Sequence, residues 1–324
     1  MKKFINLSFF VLSFFCFSIH PLLASEGGSS HYTPGAAATF IDFPPGIPQN
    51  VIVPMLGYFG SASATKQFPI AGQVTAGVHA NIFAFNPTYQ YDLPNPVAGG
   101  HYAFTLSIPV VTMEVTASVT GPGGNTVQRF DSETGIGDIY FAPLVLHWKK
   151  GNFSYLASMA VYAPSGPFQV GSLANVGKNF WTFNPSGAMF YNNQKTGLEA
   201  TVFTGFNFNT ENNATNYLSG QEFYVDYAVV KRFKSGFSVG GTGYVFQQIT
   251  GDSGSGARLG SFKGRTIGIG PEVSYMAPLD NKVLFAMEAK WLPEVDVANR
   301  LQGNWIWFKF GFIWPLPQMP PASH

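Results

Sequence analysis

From Asn304 to Trp314 the even positions Ile306, Phe308, Phe310, Phe312 and Trp314 are large and apolar, while Lys309 and Gly311 fall between them. A two-residue period places successive side chains on opposite faces of a β-strand, so one face offers five bulky groups and the other carries a charge. The alternation recurs. Ile267, Ile269, Val273 and Tyr275 alternate with Gly268, Gly270, Glu272 and Ser274; Phe223, Val225, Tyr227 and Val229 alternate with Glu222, Tyr224, Asp226 and Ala228. Val283, Phe285, Met287, Ala289 and Trp291 alternate with Lys282, Ala286, Glu288 and Lys290. Strands of this kind are predicted over 51–64, 76–92, 100–119, 135–149, 151–164, 180–191, 196–209, 220–234, 236–250, 262–277, 282–294 and 303–314. Pro109 interrupts the third, with Glu114 on its apolar side, and predicts a bulge there.

Connections between the strands alternate in length. Lys149–Gly151, Asn192–Lys195, Lys234–Gly236 and Pro278–Asn281 are short, whereas 120–134, 165–179, 210–219, 251–261 and 295–302 are long and rich in Gly, Asn and Ser. Short turns at one end and long loops at the other are the layout of outer-membrane barrels, and an even strand number leaves both termini at the short-turn end. The expected fold is therefore all-β, a transmembrane antiparallel β-barrel of about twelve strands, with fourteen as the alternative because the first two strands alternate least cleanly. A soluble sandwich would also alternate, but its polar faces are normally richer in Lys, Glu and Thr.

Composition agrees with this. Only 11% of the 324 residues are charged, while 46% are hydrophobic and 16% aromatic. Soluble domains carry about 25% charged residues. Eighteen Lys and Arg against seventeen Asp and Glu provide no electrostatic footprint for phosphates, which excludes a nucleic-acid partner. Such aromatic content also excludes a disordered chain. At the N-terminus, Lys2 and Lys3 precede an apolar run from Asn6 to Ile19, and Leu22-Leu23-Ala24 supplies a small residue for cleavage. Residues 1–24 are expected to be a secretory signal, too short in their apolar run to span a membrane. The single cysteine, Cys16, lies inside this segment, so no disulfide or thiol chemistry is expected in the remainder. The expected location is the outer membrane of a Gram-negative bacterium.

Strand parity turns Glu199, Glu222, Tyr224, Asp226, Glu272, Glu288, Lys290 and Lys309 away from the apolar faces. Facing lipid, the charged members would each cost several kcal/mol. They are the candidate lumen and solute path, either lining a passage or forming a hydrogen-bonded network that fills a narrow barrel. Phe203 adds aromatic surface to the same side. Trp181, Trp291, Trp305, Trp307 and Trp314 lie near strand ends, where a headgroup-level girdle is the expected role. Residues 25–50 precede the barrel, show no sustained alternation, and carry His31, Tyr32, Phe40 and Phe43. A free tail gains nothing from aromatic groups in water, so these four are the candidate plug, folded into the lumen from the periplasmic side against residues such as Tyr224 and Glu272. A periplasmic tail that binds another envelope protein is the alternative. Residues 315–324 read as a Pro-rich C-terminal tail.

Several stretches together resemble a known family. They are Glu26 to Gly35 with His31, Tyr32 and Pro34, then Gly137-Asp138, Ala163 to Gly166, Gly177-Lys178 through Trp181 to Pro185, and Phe206 to Asn212. Asn216 to Gly220, Gly243-Tyr244 with Gln248, Asp252 to Gly254, and Gly270-Pro271 follow in the same order. The chain resembles, over roughly 26–314, the outer-membrane family named for the meta-pathway of phenol degradation, also called the SphA family. The resemblance implies an outer-membrane barrel loosely related to channels for hydrophobic compounds and fatty acids, with outer-membrane lipid, a small hydrophobic solute and the barrel-assembly machinery as partners. It implies no established catalytic residue. Barrels of this kind usually end on an aromatic residue read by that machinery, whereas here ten residues follow Trp314.

Enzyme chemistry has little support in the sequence. His31, His79, His101, His147 and His324 show no metal-ligand spacing, and no cofactor is expected. Gly121-Pro122-Gly123-Gly124 and the glycine-rich run from Gly251 to Gly256 lack the following Lys and helix of a phosphate loop. Asp252 alone supplies too few oxygen ligands for calcium. The expected function is a passive outer-membrane channel for small hydrophobic or aromatic compounds and not an enzyme; the alternative is a non-transporting barrel that binds lipid or supports the envelope.

Overall fold

The computed structural model describes residues 26, 29–38, 49–61, 64–69, 73–120, 124–258, 260–280 and 282–316. The expected signal at 1–24, Phe40, Phe43 and nearly all of the tail at 315–324 lie outside them. Fifteen strands are present: β1 (Gln49–Ser61), β2 (Ala64–Pro69), β3 (Gln73–Val97), β4 (Gly100–Ser107) and β5 (Val110–Thr120) come first. They are followed by β6 (Thr126–Ile136), β7 (Ile139–Lys150), β8 (Phe153–Ala163), β9 (Thr182–Asn193) and β10 (Leu198–Asn209). The chain ends with β11 (Glu222–Arg232), β12 (Phe237–Gln248), β13 (Arg265–Pro278), β14 (Leu284–Ala298) and β15 (Gly303–Pro315).

All pairings are antiparallel, and they close. β15 pairs with β1, β1 pairs with β3, and the remaining order runs through β4, β7 and so on to β14. Three breaks do not start new staves of the wall. β1 and β2 run along successive parts of β3, and β4 and β5 run along the other edge of β3 with one register carried across the break between them, from Thr88↔Ser107 to Phe85↔Val110. β6 and β7 follow β5 and β4, with the register shifted by one residue across their break, from Val110↔Ile136 to Ser107↔Tyr140. Fifteen strands thus make a closed barrel of twelve staves, and closure leaves no hydrocarbon-facing backbone unpaired. Pro109 does interrupt its strand, as its lack of an N–H requires. The register against β3 nevertheless continues across the break, so it is an interruption and not an extra residue.

The stretch 120–134, expected as a loop, is mostly strand: β5 and β6 pair from Val110↔Ile136 out to Thr120↔Thr126. Together with β2 and the first half of β3 they extend one side of the wall beyond its neighbours. Glu114 lies on the outer face of this extension among Thr112, Thr116 and Ser118, which explains a carboxylate on a parity otherwise apolar. Its inner face is aliphatic, with Ala80, Val115 and Ala174 forming a small core beside Val78, Met113 and Leu173.

Elsewhere the outer face is a band of exposed apolar groups, among them Val202, Phe208, Val229, Ile269, Val273, Ile306 and Phe308. Trp181 and Trp291 belong to it, 47% and 51% exposed. Trp305 and Trp307 do not. The parity that sends Ile306 and Phe308 outward turns both indoles inward, where they stack at 5.1 Å and Trp307 is buried. The girdle expectation for these two is therefore corrected. Turn chemistry fits the short end: Ala98 and Gly99 both have positive φ, as a two-residue hairpin turn of the primed type requires.

Candidate functional site

Residues 29–38 lie inside the barrel. Their backbone crosses the lumen as irregular chain, so each N–H and C=O needs a partner that no strand provides. The wall supplies them from side chains. Lys290 Nζ donates to the carbonyl oxygens of Gly35 (3.1 Å) and Ala37 (2.9 Å), Trp307 Nε1 donates to Pro34 O (3.0 Å), and Ala37 N donates to Asp226 Oδ2 (3.1 Å). The Tyr32 hydroxyl donates to the other Asp226 oxygen. Tyr32 itself is stacked on Tyr224 (4.3 Å between centroids) and Phe246 (5.6 Å), with Tyr244 edge-on at 6.3 Å. Burial beside the Asp226 carboxylate holds the Tyr32 phenol well above its ordinary range, so it remains a donor.

Glycines make room for this cluster. Tyr224 faces Gly205 across the sheet, Tyr244 faces Gly268 and Trp307 faces Gly57, and a Cβ on any of the three would strike the ring opposite. The rings lie flat on the space the glycines leave, which keeps the lumen wide enough for a chain. On the segment itself Gly35 has φ +68 and packs directly on Leu292 and Tyr244.

His31, the residue before Tyr32, gives the segment a second anchor. Its Nε2 lies 2.8 Å from Asp138 Oδ2 and its Nδ1 2.7 Å from Thr182 Oγ1, and the ring stacks on Tyr162 at 4.8 Å. Burial disfavours the Asp138 carboxylate, but the His31 hydrogen bond and the amides of Gly166 (2.9 Å) and Lys178 (2.7 Å) outweigh it and hold its pKa below the usual value. Burial pushes the His31 pKa down, against the pull of Asp138. Lys178 also donates to Ser29 Oγ. Beyond it, Glu26 N donates to Ser219 Oγ (3.3 Å) and Asn212 Nδ2 donates to Glu26 Oε2 (2.8 Å). The N-terminal end of the segment thus sits among the long loops, whereas β1 begins at the short-turn end.

The charges under the segment form a compact network. Lys290 Nζ is 3.0 Å and Lys309 Nζ 3.7 Å from Glu288 Oε1, all three buried, and Glu272 is the cross-strand neighbour of Lys290. Glu222 is buried against Asn207 Nδ2 at 2.7 Å. Glu199 makes a two-point contact with Arg232, at 2.7 and 2.9 Å, nearer the short-turn end. All eight residues proposed from parity face inward, and Tyr224 and Asp226 among them border the lower of two cavities. The others pair strand to strand or hold the segment.

Open space lies opposite the segment, in two stacked cavities. The lower, about 230 Å³, is lined by Val51, Val53, Met55, Val145, Leu156 and Phe203 with small polar groups such as Ser158 and Ser186. The upper, about 240 Å³, lies beneath the strand extension and reaches Lys178, Glu294 and Arg300. Tyr32, Thr33, Asn86, Ser107, Tyr140 and Tyr162 border both, so the segment forms one side of the narrow place between them. Strand periodicity did not single out Asp138, Lys178, Thr182 or Arg300, because they lie in connections or at strand ends. Asp138 and Lys178 did belong to short motifs, and these converge: Gly137-Asp138, Ser165-Gly166 and Gly177-Lys178 meet at His31. Another set ties the loops together, since Asp252 accepts from Gly220 N (3.0 Å), Tyr217 OH (2.7 Å) and Gln248 Nε2 (2.6 Å). No group of three or more His, Cys, Asp or Glu side chains converges as a metal site among the described residues.

A closed twelve-stave antiparallel barrel with an apolar exterior and an irregular segment in its lumen defines a protein of the outer-membrane barrel class. The chain belongs to the family described as "Putative MetA-pathway of phenol degradation", whose model matches residues 64–310. Among solved structures it is similar to an outer membrane channel from Pseudomonas putida F1, at a TM-score of 0.59 and 12% identity, covering 87% of this chain and 100% of that one. It also aligns with the transport unit of the autotransporter AIDA-I from Escherichia coli (TM-score 0.40, 11% identity, 83% and 90% covered). A Pseudomonas aeruginosa FadL homologue aligns at a TM-score of 0.37 and 7% identity, with 91% and 95% covered. The last two are too distant in shape to weigh. No curated protein matches the sequence.

Proposed function

We propose that this protein is an outer-membrane channel that passes small, largely apolar solutes, with the N-terminal segment, described over residues 29–38, as its plug. The carrying observation is the pair of stacked cavities on the face of the lumen opposite the docked segment, lined mainly by aliphatic and aromatic groups. A wall of this kind suits solutes that gain from leaving water and need few hydrogen bonds. Membership of a family named for phenol degradation, and the likeness of the fold to an outer membrane channel, support the same reading. The Thr182 hydroxyl that lies against His31 Nδ1 is buried and donates to Asn209 Oδ1 (2.7 Å), and in this reading the buried ionisable groups are structural: they satisfy the segment's backbone and one another. His31 and Tyr32 are the latch residues of the plug in this reading.

Purified protein in planar bilayers tests it. Wild type should show small or brief conductance, and a correctly assembled variant lacking residues 25–38 should show larger and steadier conductance. Closed behaviour from both, with no solute flux into proteoliposomes, would overturn the channel reading in favour of a lipid-binding or structural barrel.

A further inference from the structure

Arg300 lies in the connection between β14 and β15, at the edge of the upper cavity. Its guanidinium stands 4.3 Å over the ring of Phe246. That contact orients the charge but supplies no hydrogen-bond acceptor. Nη1 is buried and has no hydrogen-bond partner, and no carboxylate comes within ion-pair distance of the group among the described residues. Glu222, whose Oε2 accepts from Asn207 Nδ2 (2.7 Å), and Glu294 both feel its charge, but neither lies within ion-pair distance of it. Glu294 accepts from Tyr244 OH (2.7 Å) and Gly303 N (2.7 Å), and Asp138 accepts from two amides and faces His31. An arginine donor buried without an acceptor costs free energy and is uncommon unless something outside the chain completes it.

The opposite wall defines what that something is. Ile82, Val111, Met113, Val115, Val176 and Leu301 face the same cavity and leave no polar contact for a ligand on their side. At about 240 Å³ the space holds a molecule the size of one six-membered ring with a substituent. A ligand that meets both walls has a compact apolar body and a single anionic oxygen-bearing head. We propose that the upper cavity is a binding site for small amphiphilic monocarboxylates, with the head on Arg300 and the body against the aliphatic face of the strand extension. A dianion is disfavoured, because Glu294 and Asp138 border the cavity beside its two cations, and of these Lys178 already donates to Ser29 Oγ, which leaves Arg300 to meet the head. Arg suits this role better than Lys, since its planar fork meets both carboxylate oxygens at once. The inference deepens the channel reading and rests on it for the idea that the bound molecule is a permeant.

Calorimetric and fluorescence titration of the detergent-solubilised full chain tests binding without requiring transport. Trp305 and Trp307 border the cavity and report its occupancy. Cyclohexanecarboxylate is compared with its neutral isostere cyclohexanecarboxamide, on wild type and on Arg300→Gln. Loss of a charge-assisted contact predicts a roughly ten- to hundred-fold weaker carboxylate affinity in R300Q, with little change for the amide. Wild type should prefer the carboxylate by a similar factor. Equal affinity of wild type for the two ligands, or unchanged carboxylate affinity in R300Q, would overturn the proposal. The wild-type comparison decides the matter alone if R300Q fails to assemble. A barrel that binds the carboxylate selectively yet passes no solute would keep this site and refute the channel.

Discussion

Tyr32→Ala should release the plug, and its size can be worked from the contacts. The ring is buried between Tyr224 and Phe246, and an aromatic side chain of this kind removes about 150–250 Å² from water. At about 25 cal/mol per Å² the whole side chain is worth roughly 4–6 kcal/mol, and truncation, which keeps the Ala methyl, forfeits roughly 3–5 kcal/mol, in line with buried aromatic-to-Ala changes elsewhere. The hydroxyl's bond to Asp226 adds about 1–3 kcal/mol, because the carboxylate then keeps only Ala37 N from the segment. A plug that is docked 99 times in 100 is held by about 3 kcal/mol, so a loss of 4 kcal/mol or more leaves it mostly undocked. Tyr32→Phe keeps the stack and loses only the bond, a shift of about tenfold. Single-channel recording reads both: open probability should rise in the order wild type, Y32F, Y32A. The only native cysteine is Cys16, so a Thr33→Cys reporter can be read by maleimide labelling, slow in the wild-type background and fast with Y32A. A Y32A variant as closed and as protected as wild type, beside an open variant lacking residues 25–38, would refute the stack as the latch.

Gly35→Val should also open the channel, because a Cβ there runs into Leu292 and φ +68 suits glycine; Leu292→Ala in the same chain should relieve the clash and restore only part of the closed population, as bilayer recordings would show. Glu199→Gln should leave conductance unchanged but lower the temperature at which the barrel unfolds on gels, since breaking a buried two-point pair with Arg232 costs about 3–5 kcal/mol. Acidification should loosen the plug: the docked His31 has its pKa lowered below 6.5 by burial, so below pH 6.5 the undocked segment binds the proton more readily and docking weakens as pH falls toward the docked value. Asp138, Lys178 and Tyr162 are the titratable groups that face it, and His31→Gln should remove the difference in open probability between pH 7.5 and pH 5 that wild type shows.

The barrel was legible because its strands carry an unambiguous period. β11 to β15 alternate so regularly that the inward position of Glu222, Asp226, Glu272, Glu288, Lys290 and Lys309 followed from counting. Legibility failed where parity meets chain ends and insertions. Trp305 and Trp307 look like girdle residues by their nearness to a strand end, but their parity is that of Lys309, and parity decides. Residues 126–136 look like a loop because their strand is polar on both faces, the consequence of extending past the lipid belt and not of lacking structure. Arg300, Asp138 and Lys178 could not be found by periodicity, since connections have none. The one available signal was the clustering of Gly, Asp and Lys in short motifs, and it carried no information about which motifs meet in space.

The distribution of charge across the lumen explains why a segment, and not solute, meets most of the ionisable groups. Lys290, Lys309 and Glu288 are fully buried on neighbouring strands, so each must find partners within the protein or be lost to a large desolvation cost. Two lysines share one carboxylate oxygen, which leaves spare donors on Lys290. The carbonyl groups of Gly35 and Ala37 take them. Asp226 has the opposite need, and the segment answers with the Tyr32 hydroxyl and the Ala37 amide. The wall beneath the segment and the segment itself therefore complete each other's hydrogen bonding, at a site where water would have to replace about four specific contacts on release. Opposite, the cavity walls hold few unmet polar groups among the described residues, the Ser158 and Ser186 hydroxyls in the lower cavity and Arg300 Nη1 in the upper. A polar half that grips its own chain beside an apolar half left open is an arrangement in which solute can move without competing for the contacts that hold the plug.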